Sequence, residues 1–402
     1  MQNLVIIGGG FAGMWAALVA AREAAVANSA LAITVIAPDD HLTVRPRLYE
    51  PFTPAMRAPL GPVFAPLAIE LVLAHVTAID SSARSVKTED TKGAHQSLPY
   101  DRLVLAAGSV QRPLRVPGAE NHALNVDTYG GAAALSAHLD RVLAAPEREG
   151  RLTFVVIGGG FSGVELAAEM RNHLRHKGHD AAAKAARVLL IERETVVGPD
   201  LGPQPRPHIE QALTVSGVET RLGTSVSSIE ADAITLSSGE RIPCATIVIT
   251  TGLGAHPLSA TVGREHDTQG RVVVDTALHV VGSDGIFAAG DAARAQVDEQ
   301  HVALMSCQHA APMGKHAGYN AARELLGLPL RDYRQPDYVT CLDLGDFGAL
   351  LTAGWERNVT QVGPEVKAFK KMINTQWIYP PSGDRAALLS AADIDAPWPP
   401  AV

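Results

Sequence analysis

One glycine-rich segment occurs twice in the chain, 150 residues apart. Residues 5–13 read VIIGGGFAG and residues 155–163 read VVIGGGFSG, with seven of nine letters identical. Each copy follows an apolar run and precedes an alanine-rich stretch with helical spacing, which predicts a strand, a tight turn and a helix. Two copies in this context indicate that the chain binds two dinucleotides.

The three glycines of each copy are expected to permit the turn, to leave room for a pyrophosphate and to let the helix pack on the strand. They are Gly8, Gly10 and Gly13 in the first copy and Gly158, Gly160 and Gly163 in the second. The pyrophosphate would bind free N–H groups at the positive end of the helix, which carries roughly half an elementary charge.

The composition is that of a large globular protein. Hydrophobic residues make up 47% and charged residues 19% of the 402 residues, which excludes a disordered chain. A net charge of −8 gives no reason to expect nucleic-acid binding. Cys244, Cys307 and Cys341 are too widely separated for a C-x-x-C redox pair, and we expect Cys307 to be a small buried hydrophobe. This cysteine usage fits a reducing compartment, so we predict a cytoplasmic protein.

Two other patterns are interpreted conservatively. Residues 4–21 are uncharged, but no Lys or Arg precedes them and three glycines interrupt them, so we predict neither a signal peptide nor a membrane span. His173, His176 and His179 are spaced by three residues, but no carboxylate or cysteine completes a ligand set. We predict no metal site there and a solvated helix face instead.

The predicted elements also repeat as a series. Strand, glycine turn, helix, strand, hairpin and a further strand end in AAG at residues 106–108, and the same series ends in TTG at residues 250–252. From about residue 330 the pattern changes to short strands and a basic amphipathic helix. The predicted fold class is α/β, with two Rossmann-like three-layer nucleotide-binding domains and a small C-terminal α+β unit.

At this point the motif order, which ends in Gly290–Asp291, resembles the flavoprotein oxidoreductases that bind two dinucleotides. RPRLYEPF, PGAENHAL, GGGFSGVELAAEM and GVETRLGTSV look most like type II NADH dehydrogenases. The resemblance covers roughly residues 1–330. It implies FAD in the first site, NADH (with NADPH as the alternative) in the second, and an FAD-dependent NAD(P)H oxidoreductase activity.

On this resemblance we expect four segments. They are an FAD-binding domain in two parts (1–112 and 246–329), an NAD(P)H-binding domain (113–245) and a C-terminal interface or attachment domain (330–402).

The resemblance assigns FAD to residues of the first half and of the return segment. They are Gly8, Gly10, Phe11, Ala12, Gly13, Asp39, Arg45, Pro46, Val76, Ala107, Gly108, Gly290 and Asp291. Asp291 is expected to accept hydrogen bonds from ribityl hydroxyls, or else to be an ordinary helix N-cap. Ala37 stands where the family has an acid for the adenosine ribose, so either Asp39 or Asp40 reaches the ribose or this contact is absent.

The nicotinamide dinucleotide is assigned to the second repeat. Its residues are Gly158, Gly160, Phe161, Ser162, Gly163, Glu165, Glu192, Arg193 and Gly252. Glu192 ends a strand, where a carboxylate accepts from a free 2′-hydroxyl and repels a 2′-phosphate, which favours NADH; the adjacent Arg193 can weaken that preference. Glu165 is expected at the nicotinamide and flavin edge, or as an acid that complements the helix dipole by about 0.3–1 kcal/mol.

The second substrate is predicted to be a quinone or another small diffusible acceptor. SCQHAAPMGKH keeps Gln308 and Gly314 of the stretch that lies beside the quinone in type II NADH dehydrogenases, but Pro312 stands where the second glutamine would be. The segment VKAFKKMINTQWIYPP predicts an amphipathic helix whose lysines lie away from its apolar face. Such a helix docks on its own core, joins a second subunit in a homodimer, or lies on the inner face of an anionic membrane.

Two alternatives are kept open. One is a reductase of a small electron-carrier protein such as ferredoxin or rubredoxin, with Arg45, Arg47 and Lys315 as docking cations. The other is a flavoprotein, similar to apoptosis-inducing factor, that binds NADH to change conformation and turns over little.

Overall fold

The computed structural model describes residues 1–396. The strands, in chain order, are β1 (Gln2–Ile7), β2 (Leu31–Ala37), β3 (His41–Thr43), β4 (Arg57–Pro59), β5 (Glu70–Asp80), β6 (Ser85–Asp90), β7 (His95–Pro99), β8 (Arg102–Leu105), β9 (Ser109–Gln111), β10 (Leu124–Asn125), β11 (Thr153–Ile157), β12 (Arg187–Ile191), β13 (Val218–Arg221), β14 (Val226–Ile229), β15 (Ala233–Leu236), β16 (Arg241–Pro243), β17 (Thr246–Ile249), β18 (Leu253–Ala255), β19 (Val272–Val273), β20 (Ile286–Ala288), β21 (Ala293–Arg294), β22 (Val339–Asp343), β23 (Ala349–Ala353) and β24 (Asn358–Gly363).

The helices, in chain order, are α1 (Phe11–Val26), α2 (Gly61–Phe64), α3 (Ala119–His122), α4 (Tyr129–Ala144), α5 (Phe161–His176), α6 (Asp180–Ala185), α7 (Arg206–Val215), α8 (Cys307–Leu325), α9 (Pro364–Met372) and α10 (Arg385–Ala391). Within residues 1–396, no helix combines the length and the apolar character needed to cross a bilayer.

The first sheet has seven strands in the order β20-β8-β1-β2-β5-β6-β7. Its centre is parallel, and β5, β6 and β7 extend it as an antiparallel meander. Strand β1 is buried along its last four residues, as expected for a parallel strand covered on both faces. The chain leaves this sheet after β8 and returns to it only with β20, so segments far apart in sequence form one layer.

The second sheet repeats the same unit. Its five strands are all parallel, in the order β10-β17-β11-β12-β13, and a separate antiparallel sheet of β14, β15 and β16 lies in the following hairpin region. In each repeat the first glycine donates to the neighbouring strand, Gly8 N to Ile36 O and Gly158 N to Ile191 O, both at 2.8 Å. The predicted fold class, a duplicated α/β nucleotide-binding architecture, is confirmed.

Small residues bring α8 against α1. A Cβ on Gly314 would lie 2.2 Å from Ala12 O, and one on Gly318 would lie 2.1 Å from Ala16 O. The two backbones can therefore meet only because these positions of α8 are glycine. This contact holds the N-terminus of α8 near the first glycine turn.

The C-terminal unit is a three-stranded antiparallel sheet, β22-β23-β24, followed by α9, a π-helical turn at Ile373–Trp377 and α10. Helix α9 packs on this sheet and reaches α5 through its side chains.

Candidate functional site

A cavity of about 1140 Å³ lies between the first glycine turn, the start of α5 and the C-terminal unit. Most residues assigned to FAD line it: Gly8, Gly10, Phe11, Ala12, Asp39, Arg45, Pro46, Ala107, Gly108, Gly290 and Asp291. Phe161, Ser162, Glu165 and Gln308 line it as well. Residues from four separated parts of the sequence thus share one space.

The first glycine turn fits a pyrophosphate. Gly8 has φ 110°, and a Cβ there would lie 2.2 Å from Ala106 O. A Cβ on Gly13 would lie 1.8 Å from Gly8 O, whereas one on Gly10 would meet nothing within 4 Å. Gly10 is also the N-cap of α1 without a side-chain cap, so the first N–H groups of the helix stay free for an anion. These residues fit FAD.

The second turn has the same geometry. Gly158 has φ 113°, and a Cβ on Gly163 would lie 1.8 Å from Gly158 O. Gly160 caps α5 without a side-chain hydrogen bond and has open space where a Cβ would be. Gly252 has φ 70° and accepts from Arg112 N at 2.6 Å.

Glu192 follows β12, close to this turn. Its Oε2 accepts from Gly159 N at 2.6 Å and its Oε1 from Glu194 N at 2.9 Å, so the carboxylate is held by two backbone donors. The Arg193 side chain is 82% exposed and pairs with Glu194 at 3.3 Å. The carboxylate is therefore fixed beside the glycine turn, while the guanidinium is free to move.

Asp291 lies in a polar group at the centre of the cavity. It accepts from Ser109 Oγ at 2.6 Å and from Arg45 at 3.5 Å, and Arg45 also pairs with Asp127. Burial raises the pKa of Asp291, and the nearby Arg45 opposes that rise. Gly290 precedes it with φ 69°. The carboxylate thus points into the cavity on a turn that glycine permits, as a ribityl acceptor requires.

Ala37, where the resemblance expects an acid for the adenosine ribose, lines the cavity. Asp39 lines the cavity but is half exposed, and it pairs with Arg57 at 3.4 Å and with His41. Asp40, on the same turn, does not line the cavity. The ligand atoms of Asp39, Asp40 and His41 lie within 4.8 Å of one another, but this grouping is exposed and common without an ion. The absence of a metal stays a prediction.

Eight assigned residues are not part of the cavity lining: Gly13, Val76, Gly158, Gly160, Gly163, Glu192, Arg193 and Gly252. Gly13 and Gly163 face the backbone of their own glycine turns, at Gly8 O and Gly158 O. Val76 lies on β5 opposite Thr88 of β6, and Gly252 lies beside Arg112. The structure does not bring Val76 to the other FAD residues.

The Glu165 carboxylate is buried and pairs with Lys370 of α9. Its Oε1 also accepts from Asp343 N at 3.0 Å, and Lys370 donates to Cys341 O at 2.6 Å. Burial raises the pKa of Glu165 to about 7, and Lys370 opposes the rise. A carboxyl group that exchanges its proton near neutrality therefore lines the cavity.

A second ion pair lies one helical turn along α5. Lys367 contacts Glu169 and also Asp343 at 2.9 Å, and burial raises the pKa of Glu169. Two acids four residues apart on α5 thus face two lysines three residues apart on α9. The sequence predicts that these lysines lie away from the apolar face of α9. In the structure Lys367 and Lys370 pair with the acids of α5, whereas Lys371 is exposed.

The charge pattern itself is visible in the sequence, because E-x-x-x-E and K-x-x-K each place two charges on one helical face. Their pairing is not visible, because about 200 residues separate the two helices.

His173, on the same face of α5, corrects another expectation. Its ring is buried and its Nε2 lies 2.8 Å from Tyr49 O, so the solvated face predicted for the three histidines holds only for His176 and His179. Burial lowers the pKa of His173 to about 4, so the ring is neutral.

The cysteines near the cavity are neutral thiols. Cys307 and Cys341 both line it, and burial raises the pKa of each to about 11. Cys244 is buried in the second repeat. A thiol with this pKa is a weak nucleophile near neutral pH. Cys307 is half-buried, and its interpretation as a small buried hydrophobe stays a prediction.

The segment around Gln308, where the acceptor is expected, is held by amide contacts. In the orientation that satisfies both its atoms, the Gln308 amide donates to Val339 O at 2.7 Å and accepts from Val339 N at 3.2 Å. Pro312 has no N–H for the carbonyl of Gln308, and Gln335 Nε2 donates to that carbonyl at 3.0 Å. Gln335, which the sequence did not single out, lines the cavity and supplies the hydrogen-bond donor that Pro312 lacks.

The cations considered for docking a carrier protein make contacts within the protein instead. Arg45 lies inside the cavity, Arg47 is buried against Glu50 and Tyr379, and Lys315 is buried where it donates to Asp393 O at 3.2 Å. They do not form a surface patch.

Comparison with known proteins identifies the class. The family described as pyridine nucleotide-disulphide oxidoreductase matches residues 2–314, so the chain belongs to that family. It is an oxidoreductase with FAD and NADH as cofactors, as predicted.

Within the family, the relatives are NADH dehydrogenase-like. The chain is 44% identical over 396 residues to the NADH dehydrogenase-like protein Rv1812c of Mycobacterium tuberculosis, with 98% of both chains covered. It is 29% identical over 362 residues to the demethylphylloquinone reductase NdbB of Synechocystis, covering 87% of this chain and 86% of that one.

Two solved structures share the fold. The sulfide:quinone oxidoreductase of Aquifex aeolicus matches with a TM-score of 0.78 at 18% identity, covering 99% of this chain and 93% of that one. NDH2 of Plasmodium falciparum in complex with NADH matches with a TM-score of 0.75 at 13% identity, covering 99% and 98%.

Proposed function

We propose that the protein is an NADH:quinone oxidoreductase of the cytoplasm whose acceptor is a small diffusible quinone. The observation that carries the proposal is a cavity that joins the first glycine turn, together with Phe161 and Ser162 of the second motif, to an apolar, aromatic end. Tyr338, Phe369, Ile373 and Trp377 line that end, and the rings of Phe369 and Trp377 meet edge to face at 5.3 Å. A planar ring of quinone size fits such a lining.

The overall reaction balances as NADH, a proton and a quinone giving NAD⁺ and a hydroquinone. FAD, when bound, supplies the two-electron chemistry that links the two substrates. The glycine turns hold the dinucleotides, Asp291 and Ser109 orient the polar centre, and the aromatic end excludes water from the acceptor. The quinone needs two protons, and Glu165 is the carboxyl group of the cavity that can hold one near neutral pH.

Two features support a diffusible acceptor. Lys367 and Lys370 bind acids of α5, so α9 does not offer the basic face that attachment to an anionic membrane requires. The cations considered for docking lie in the cavity or are buried, which also argues against a carrier protein as the acceptor.

NADH is favoured over NADPH because the Glu192 carboxylate is held beside the second turn.

The test is steady-state NADH oxidation by purified holoprotein with 1,4-naphthoquinone, ferredoxin or oxygen as the acceptor. We expect many turnovers with the quinone and few with the others. Phe369→Ala should raise the KM for the quinone about tenfold, through the loss of roughly 1–2 kcal/mol of ring contact, without changing anaerobic bleaching by NADH. Val215→Ala, at an exposed site remote from the cavity, is the matched control. Bleaching by NADH without turnover on any acceptor would support the conformational alternative.

A further inference from the structure

A guanidinium lies at the acceptor end of the cavity. Arg357 lines the cavity, and its Cζ lies 5.4 Å from the ring centre of Tyr338. In the part of the chain that the structure describes, no carboxylate lies within ion-pair distance of this side chain. In a protein with 42 acidic and 34 basic residues, a cation without an acidic partner inside a cavity is available to a ligand.

The backbone fixes where this guanidinium lies. Arg357 ends the β23–β24 turn with φ 53°, a left-handed conformation that costs a branched or long side chain energy and that persists only where its surroundings enforce it. The surroundings are the neighbouring loop: Gly354 N donates to Tyr338 O at 2.8 Å, and Trp355 Nε1 donates to Pro336 O at 3.0 Å. The turn and the loop are thus locked together.

Aromatic stacking makes the same surface rigid. The rings of Trp355 and Tyr338 stack at 4.7 Å, and His301 stacks on the other side of Trp355 at 4.4 Å. Leu304 and Val339 line the cavity with 38% and 44% of their surface exposed, so the mouth is apolar around this charge. Arg334 and Asp337, which also line the cavity, carry opposite charges.

We propose that the acceptor is an aromatic quinone with an anionic substituent, a carboxylate or a sulfonate, which pairs with Arg357 while the ring lies in the aromatic end. The inference rests on the proposed function and adds the substrate's charge. A net charge of −8 repels anions in general, so only a local cation makes such an acceptor favourable. The substituent is unchanged in the reaction, which remains the two-electron reduction of the quinone to a hydroquinone.

The test compares 1,4-naphthoquinone-2-sulfonate with neutral 1,4-naphthoquinone in the holoenzyme. Arg357→Gln should lower kcat/KM for the sulfonate about tenfold, the worth of one charge-assisted hydrogen bond, and leave that for the neutral quinone unchanged. Arg357→Lys should recover part of the loss. Lys92→Gln, which removes an exposed and distant positive charge, should not change the ratio of the two rates.

A binding measurement separates this effect from turnover. Naphthalene-2-sulfonate, which is not reduced, should quench tryptophan fluorescence with a Kd about tenfold higher in Arg357→Gln than in the wild type. If Arg357→Gln changes neither this Kd nor the ratio of the two quinone rates, the inference is overturned. The proposed function still stands in that case, provided that the neutral quinone is turned over. If neither quinone supports NADH oxidation, the proposed function falls and the inference with it.

Discussion

The Glu165 carboxyl group, at the edge of the cavity, gains and loses its proton near neutral pH. Burial raises its pKa from 4.5 to about 7, so the folded protein binds this proton more tightly than the unfolded chain does. The ionised carboxylate therefore lowers stability, an effect that is absent below pH 4.5, grows as the pH rises and is complete above pH 7.

We predict an inflection near pH 7 in the profile of kcat/KM for the quinone, and its loss in Glu165→Gln, which keeps an oxygen for Asp343 N but does not titrate. The melting temperature of the wild type should fall relative to that of Glu165→Gln as the pH rises through this range. Identical profiles for the two proteins would exclude Glu165 as the titrating group.

We expect Glu192 to determine which nicotinamide dinucleotide is favoured. Glu192→Gln keeps an oxygen for Gly159 N and removes the negative charge, so the turn should stay intact while repulsion of a 2′-phosphate disappears. We expect the preference for NADH over NADPH to narrow by about tenfold, equivalent to roughly 1.4 kcal/mol. The ratio of kcat/KM values measures it, and an unchanged ratio would remove Glu192 from the ribose contact.

The crossing of α1 and α8 is the element contact that shapes the site. Gly314→Ala would place a Cβ 2.2 Å from Ala12 O, so the helices must separate. We expect a loss of about 2–4 kcal/mol in the free energy of unfolding, together with weaker retention of FAD, because the N-terminus of α8 moves away from the first turn.

Gly130→Ala is the matched control for that substitution. Gly130 lies in α4, and a Cβ there would meet nothing within 4 Å. Since alanine is the better helix former, this variant should be neutral or more stable by up to about 1 kcal/mol. Chemical denaturation and flavin absorbance measure both variants, and equal behaviour would show that the crossing tolerates separation.

At the scale of the whole molecule, α9 fastens the C-terminal unit to the nucleotide-binding helix α5. Lys367→Met would leave Glu169 and Asp343 buried without their cation, and we expect unfolding to become easier by about 2–3 kcal/mol. The double variant Lys367→Met with Glu169→Gln should regain part of the lost free energy of unfolding. Lys371→Met, at the exposed lysine of the same helix, should change stability by less than about 0.5 kcal/mol.

Thermal unfolding of these three variants measures how much the contact between α9 and α5 contributes to stability. If Lys367→Met and Lys371→Met are equally stable, the pair does not hold the unit in place.

The family resemblance supplied the cofactors, and the sequence by itself determined the duplicated fold and the glycine geometry of both turns. These follow from local rules: a positive φ, an uncapped helix N-terminus and the period of an apolar strand are properties of a few neighbouring residues. Asp291 and the altered ribose position at Ala37 belong to the same group, since each is tied to the end of a strand.

Only the tertiary structure decided the acceptor end and the ionic contacts. The partners of Glu165 and Glu169 lie about 200 residues away, Gln335 compensates for Pro312 from another segment, and Arg357 reaches the cavity through a strained turn. Charge and periodicity cannot show which of several cations meets a given acid, because that pairing depends on how the C-terminal unit packs. Burial then sets the pKa of each group, and burial exists only in the folded molecule.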